Sequence, residues 1–438
     1  MSEAVDAPDN RKGYREVDFG PKTFIVPEDW SVERFGDVFA RRSESIDADA
    51  GEEVRYIGLK HLNSGELEIA GYDEDGQERS SSRAFEEEDV LFGKLRPNLK
   101  KAAIAPFDGV CSSDIIPIYA EDDTLQEYLP YLMHSKLVRD RVISTMEGTN
   151  LPRTSWEDLA STLVPIPLEN ERKRIAKILS TVEEQIQQTD EIIETTKELK
   201  TGTLNDMIPR GINQKGKLRP SPDTNPELYK EVRRCIIPSD WAVTPLRELC
   251  KEDVTYGIVQ AGPHVEDGVP YIKTGDMTDD KLKIEGLSRT SPEIAEDYSR
   301  SKIQEGELVI AIRATVGVVH QVPPELDGAN LTQGTARISP DDSIDNRYLL
   351  WTIRSNLVQS LIESRTKGST FNEITLGTLR KVLIPHPTNL KEQREIAERL
   401  DMISKKLDEE RSYLEESKNL KRGLIQDLLT GKVRVDYN

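Results

Sequence analysis

Cysteine and histidine are scarce in this chain. Cys111, Cys235 and Cys250 are the three cysteines, none in a C-x-x-C pair, and five histidines are scattered over 438 residues. This argues against a disulfide framework and against structural zinc, so the thiols read as buried or incidental. No run of about 18 apolar residues occurs, so no membrane-spanning helix is expected. The opening MSEAVDAPDN is acidic and polar, unlike a secretory leader, and a cytoplasmic location is expected.

Catalytic signatures are missing too. No GxGxxG follows a strand-like run, and neither HExxH, GxSxG nor the Asn/Asp-Pro-Pro-aromatic tetrapeptide of amino-methyltransferases occurs. GINQKGKL at 211–218 has the spacing of a phosphate-cradling loop. It ends on Leu218 where Ser or Thr must reach the magnesium, and it follows a helix-like segment where a strand is required. The polypeptide is expected to be no enzyme and to hold no metal or cofactor.

Cations are in deficit: 59 Lys+Arg stand against 79 Asp+Glu, a net charge of −20. A nucleic-acid binder usually carries a basic excess. Here the acidic excess is diffuse, in short clusters at 86–89, 183–184, 341–342 and 409–410. Such a surface suits a protein soluble in molar salt, and a halophilic source is expected. At about 1 M salt the Debye length is near 3 Å, so a local basic face can work on an acidic molecule.

What is present is a repeat. IVPEDW at 25–30 returns as IIPSDW at 236–241, and KELKTGTLNDMI at 197–208 returns as KNLKRGLIQDLL at 418–429. Shared landmarks lie between them in the same order. The offset creeps from 211 to 220 through the first part of each copy, then holds at 221 from Ile175 and Ile396 onward. Loops tolerate insertion and a helix seam does not. Each copy is therefore a globular part followed by a long regular element. Two copies imply a pseudo-two-fold molecule, and duplex DNA has a matching dyad.

The regular element is a helix. Ile175, Leu179, Val182, Ile186, Thr189, Ile193 and Thr196 are spaced 4-3-4-3-4-3, as are Ile396, Leu400, Ile403, Leu407, Glu410, Leu414 and Ser417. This is the heptad seam of a coiled coil, with Glu410 the polar counterpart of Thr189. Pro167 and Pro387 precede the helices, and Gly211 and Gly431 follow as stops. About 38 residues make a rod of about 57 Å. The two helices should pair antiparallel, because a parallel pair would spend the linker on a full return. The expected shape is a dumbbell. The globular parts read as mixed α and β, with strands at DVLFGKL and ELVIAIRA and helices over 128–145 and 348–364. Trp30 and Trp241 recur at the start of each copy and read as packing.

The order IPxDW, DVLFGKLRPNLKKAA, a Gly-Thr/Ser turn before VPIP, then ERKRIAKILSTVEEQI, and EQREIAERLDMISKKLDE in the second copy strongly resembles the specificity subunit of type I restriction-modification enzymes. The resemblance runs from about Val17 to Val435. It implies an α+β protein of two target recognition domains with pseudo-two-fold symmetry, separated by an antiparallel two-helix coiled coil. Each domain would read one half of a bipartite, asymmetric DNA target, and the helices would set the gap. The partners would be double-stranded DNA, two adenine-N6 methyltransferase subunits and motor-nuclease subunits. S-adenosylmethionine, ATP and magnesium would belong to those partners.

The expected boundaries are an extension at 1–16, recognition domain 1 at 17–168, spacer helix 1 at 169–212, a linker at 213–234, recognition domain 2 at 235–388, spacer helix 2 at 389–431 and a tail at 432–438. The candidate DNA-contacting residues in copy one are Lys60, Lys94, Arg96, Lys100, Lys101, Thr149, Asn150 and Arg153, with His61 and Arg83 looser additions. In copy two they are Lys273, Arg313, Thr315, Thr332, Gln333, Lys367, Ser369, Thr370 and Asn372. Lysine and arginine suit phosphates and guanine edges, and amides suit adenine. Few of these residues are shared between copies, so the half-sites should differ. Two other readings compete. One is a coiled-coil scaffold that never meets DNA, favoured by the acidic balance. The other is an orphan specificity subunit serving modification alone.

Overall fold

The unbroken apolar stretches Val90–Gly93 and Leu308–Ala311 become strands with every residue buried, the expected fate of a strand covered on both faces. They are the centres of two matching units in a computed structural model that describes residues 12–19, 22–44, 54–74, 82–146, 151–232, 235–278, 281–366 and 372–436. One compact unit takes Met1–Asp190 with Ser412–Asn438, and the other takes Glu191–Arg411. Both long helices, Glu169–Arg210 and Leu390–Leu428, are thus divided between the units.

The first unit opens with a hairpin, Tyr14–Asp18 against Thr23–Pro27. Ser31–Arg34 then pairs antiparallel with Leu163–Ile166, so the start and end of the globular part lie side by side. Between them is a four-stranded sheet in the order Ala40–Arg41, Ile115–Tyr119, Val90–Gly93, Ala102–Ile104. A smaller sheet pairs Tyr56–Ile57 parallel to Gly109–Cys111, with Arg83–Phe85 antiparallel on the far side.

The second unit repeats this plan. Its hairpin is Tyr229–Val232 with Cys235–Pro238, and its closing pair is Trp241–Pro245 with Leu383–Pro387. The four-stranded sheet runs Cys250–Tyr256, Thr335–Pro340, Leu308–Ala311, Val319–Gln321. Val269–Ile272 and Asn330–Leu331 form the parallel pair. Here the third strand, Arg289–Thr290, joins Val269–Ile272, the other edge of the pair from that used in the first unit. The repeat thus diverges in the region where its offset drifts.

The single helices expected over 128–145 and 348–364 are each two. Asp123–His134 stops at Ser135, whose hydroxyl accepts from the Val138 amide and starts Lys136–Ser144. Asn346–Arg354 and Asn356–Glu363 part at Ser355. Apolar spacing runs through both serines, which hides a break made by an extended cap residue.

Within each unit the long helices run antiparallel. In the first, Ile175 and Leu179 share a core with Ile425, Leu428 and Leu429, and further along Glu183 meets Lys421 at 2.7 Å. In the second, Leu204, Met207 and Ile208 share a core with Ile396, Ala397 and Leu400. Of the expected seam residues, Ile175, Leu179, Val182, Ile186, Ile193, Ile396, Leu400, Leu407 and Leu414 are buried, and Ile403 is half-buried. Trp30 and Trp241 are core residues, each 1% exposed. Gly211 and Gly431 carry positive φ (+63° and +69°), and a Cβ on either would stand 2.4 Å from Trp241 or from Pro27. Only glycine fits both constraints. Among the described residues no helix is long and apolar enough to cross a membrane.

Candidate nucleic-acid interface

One backbone junction recurs in both units. In the first, the Lys94 amide donates to Asp114 O, the Thr154 amide to Lys94 O and the Arg96 amide to Pro152 O. In the second, the Ile312 amide donates to Gly334 O, the Ile374 amide to Ile312 O and the Ala314 amide to Asn372 O. Leu95 pairs across to Arg153 as Arg313 does to Glu373. Arg96 (φ 50°) and Ala314 (φ 58°) are both left-handed at the same turn. A non-glycine residue held there costs of order 1–3 kcal/mol, so the surrounding structure over-determines the turn.

In the first unit this frame presents cations. The loop 94–101 is fixed by its own backbone around the short 3-10 turn Pro97–Leu99, and the Ser64 hydroxyl donates to Leu99 O. Lys94, Arg96 and Lys100 are left with no side-chain hydrogen bond or ion pair among the described residues. Partial burial, then the positive charges of Arg83, Arg153 and Arg41, hold the Lys94 ammonium below the ordinary lysine range against an opposing Asp114. Partial burial, then Arg139 and Arg422, do the same to Lys100. Cations left without partners on one loop, with further guanidinium groups acting on them, form a face that an anion would relieve. Two sequence candidates are spent elsewhere. Lys101 Nζ donates to Leu59 O at 2.6 Å, and Lys60 pairs with Asp73 at 2.8 Å. Arg153 is fastened to Asp114 at 3.1 Å. Thr149 and Asn150 lie outside the described residues.

In the second unit an open cleft of about 340 Å³ gathers Tyr271, Lys273, Thr274, Arg313, Thr332 and Gln333. Four of these are sequence candidates, and Tyr271 and Thr274 are additions. The Gln333 amide N–H donates to Ile258 O, which fixes the backbone, while its exposed side-chain amide has no partner among the described residues. Lys273 Nζ reaches Ser288 Oγ at 3.1 Å. The Thr332 hydroxyl is turned inward to Ile272 O at 3.3 Å. Arg313 pairs with Glu373 at 3.1 Å. Thr315 and Asn372 are exposed at the turn, while Lys367, Ser369 and Thr370 lie outside the described residues.

The phosphate-loop resemblance at 211–218 has a different cause. Asn213 takes the amides of Lys215 and Lys217 on its side chain and that of Gly216 on its carbonyl. The donors that would cradle a phosphate are already satisfied.

Comparison with known proteins agrees with this layout. The profile of the type I restriction modification DNA specificity domain matches residues 27–198 and 238–416. The chain is 24% identical over 438 residues to the type I restriction enzyme MjaVIII specificity subunit of Methanocaldococcus jannaschii, covering 96% of this chain and 97% of that protein. It is 26% identical over 257 residues to the EcoBI specificity subunit of Escherichia coli, covering 57% and 53%. Its fold is like that of the type I restriction-modification S subunit from M. genitalium, with a TM-score of 0.56 at 14% identity over 92% of this chain and 96% of that one. Matched in both of its repeats, the chain belongs to the type I restriction-modification DNA specificity family, as a specificity subunit.

Proposed function

We propose that each unit reads one half of a bipartite, asymmetric DNA target and that the paired long helices set the number of base pairs between the halves. The observation that carries this reading is the shared junction: one backbone frame occurs twice with different side chains on it. A short site read by one module occurs too often in a genome, and two modules on a common bar multiply their selectivity. The unpaired Lys94, Arg96 and Lys100 supply phosphate contacts, which position without specifying.

This chain does no chemistry. Adenine-N6 methyltransferase subunits use S-adenosylmethionine, and motor-nuclease subunits use ATP and magnesium. Two methyltransferase subunits dock, one per repeat. In support, Leu199 and Leu420 occupy equivalent positions 221 apart on the long helices and stand 57% and 55% exposed, as do Ile192 and Tyr413, also 221 apart, at 45% and 47%. Leu199 lines an open groove with Met402 and Ile403.

The test is a map of methylated adenines in the genome of a host carrying this chain and its methyltransferase partner. The expected motif has two unlike halves at one fixed gap. A single continuous motif, or none, overturns the proposal.

A further inference from the structure

We propose that Arg153 and Arg313 are the specificity-determining arginines of their units, each reading the O6/N7 edge of a guanine, and that Asp114 and Glu373 are positioning residues that aim them. The inference rests on the reading of the chain as a DNA specificity subunit and names the groups that discriminate.

On the shared junction three positions change together. The first unit has Leu95, Asp114 and Arg153, and the second has Arg313, Gly334 and Glu373. Leu95 and Arg153 lie directly opposite each other, as do Arg313 and Glu373, so both members of a pair project on one face. The arginine has moved from one strand of the pair to the other, and its carboxylate has moved with it. Each unit therefore keeps one guanidinium at this face and launches it from a different side.

The ion pairs engage the same edge of the guanidinium, Asp114 with both carboxylate oxygens and Glu373 with one. Asp114 accepts from Nε and one terminal nitrogen of Arg153, at 3.1 and 3.5 Å. Glu373 accepts from Nε and one terminal nitrogen of Arg313, at 3.2 and 3.1 Å. A guanidinium has five donors in a fixed fork. Engaging the Nε edge leaves the end-on edge, with its two terminal nitrogens, open for a bidentate acceptor. Guanine O6 and N7 are the acceptor pair that fits that fork in the major groove. Both arginine side chains are nearly half exposed (47% and 42%), so the pairs add little to stability. Their use is orientation. The unpaired Lys94, Arg96 and Lys100 have no such aiming partner, which separates phosphate contacts from base contacts.

The test is methylation mapping of the assembled complex with Arg313→Ala, Arg313→Lys, Arg153→Ala and Glu373→Gln. Arg313→Ala is expected to relax one G·C position in one half-site by about 5- to 150-fold and to leave the other half intact. Arg153→Ala does the same in the other half. Arg313→Lys keeps the charge and the fold but loses the fork, so it relaxes the same position. Glu373→Gln relaxes that position in part, with the salt dependence of binding retained. An unchanged motif methylated uniformly more slowly would make these arginines phosphate contacts and overturn the proposal. Unchanged motif and rate would reduce them to surface ion pairs and overturn it equally. Failure of the unaltered complex to methylate any bipartite motif would instead sink the specificity reading beneath it.

Discussion

Trp30 Nε1 donates to the carboxylate of Glu171 at 2.9 Å, and Glu171 is wholly buried. Arg434, which follows the second long helix, closes on the same carboxylate at 2.6 Å and on Asp29 at 2.9 Å. The second unit repeats the clasp with Trp241, Glu392, Asp240 and Arg219, which follows the first long helix. In each unit the segment after one long helix fastens the first turn of the other to the tryptophan beside the opening hairpin.

Arg434→Ala should therefore destabilise the first unit out of proportion to the loss of one surface-reaching side chain. It leaves a buried carboxylate with Trp30 as its remaining hydrogen-bond partner. Breaking a buried pair from one side costs about 3–5 kcal/mol, and partial exposure of Arg434 places this case at the lower end. Denaturant unfolding should show the loss, with Arg434→Lys intermediate. A change below about 0.5 kcal/mol would mean that the clasp is ornamental.

His134 sets a pH limit. Its Nε2 donates to Ala102 O at 2.8 Å, and burial pushes its pKa from 6.5 down to about 4. Between those values the unfolded chain takes up a proton that the folded one refuses, so stability falls as pH drops from about 6.5 towards 4. The loss should reach about 2–3 kcal/mol at the acid end. His134→Gln keeps a donor without the titration and should flatten the profile of unfolding midpoint against pH. If both proteins follow the same curve, other groups are responsible.

Much of the architecture could be read from the sequence because it is written in unbroken apolar runs and a constant offset. The seam from Ile175 to Ile193 and the buried strands at Val90 and Leu308 depend on local pattern alone. At the candidate face the sequence shows a cationic run against the acidic trend, and the structure leaves Lys94, Arg96 and Lys100 of that run without side-chain partners among the described residues. The face was not legible where partners come from afar. Lys101 belongs to that run and Lys60 is a separate candidate, yet they are tied to the Leu59 carbonyl and to Asp73. Arg139 and Arg422, far off in sequence, act on Lys100. The tryptophans read as packing, and nothing local announced the hydrogen bond to Glu171.

The exposed leucines separate docking from folding. Leu199→Glu and Leu420→Glu should leave the unfolding free energy within about 0.5 kcal/mol, since an exposed site loses little on substitution. Each should remove one methyltransferase subunit from the assembled complex, and the pair should remove both. Native mass measurement of the complex decides. Full assembly with both substitutions would place the docking face elsewhere.

The charge of −20 makes a separate prediction about salt. Self-repulsion of this size opposes the compact state and is screened as ionic strength rises. Dialysis from about 2 M to about 0.05 M salt should lower the thermal midpoint and loosen near-ultraviolet circular dichroism. Equal stability in dilute buffer would remove the case for a halophilic source.

The gap between half-sites offers the most direct challenge to the proposed ruler. Seven residues inserted after Asp190 and seven after Arg411 keep the heptad phase in both helices. The bar then lengthens by about 10 Å, or about three base pairs of duplex. Those base pairs also turn the second half-site by about 100° about the duplex axis. Methylation should therefore leave the original gap, move to one longer by about three base pairs and proceed more slowly there. Adenine methylation that stays at the original gap would show that something other than helix length measures the distance.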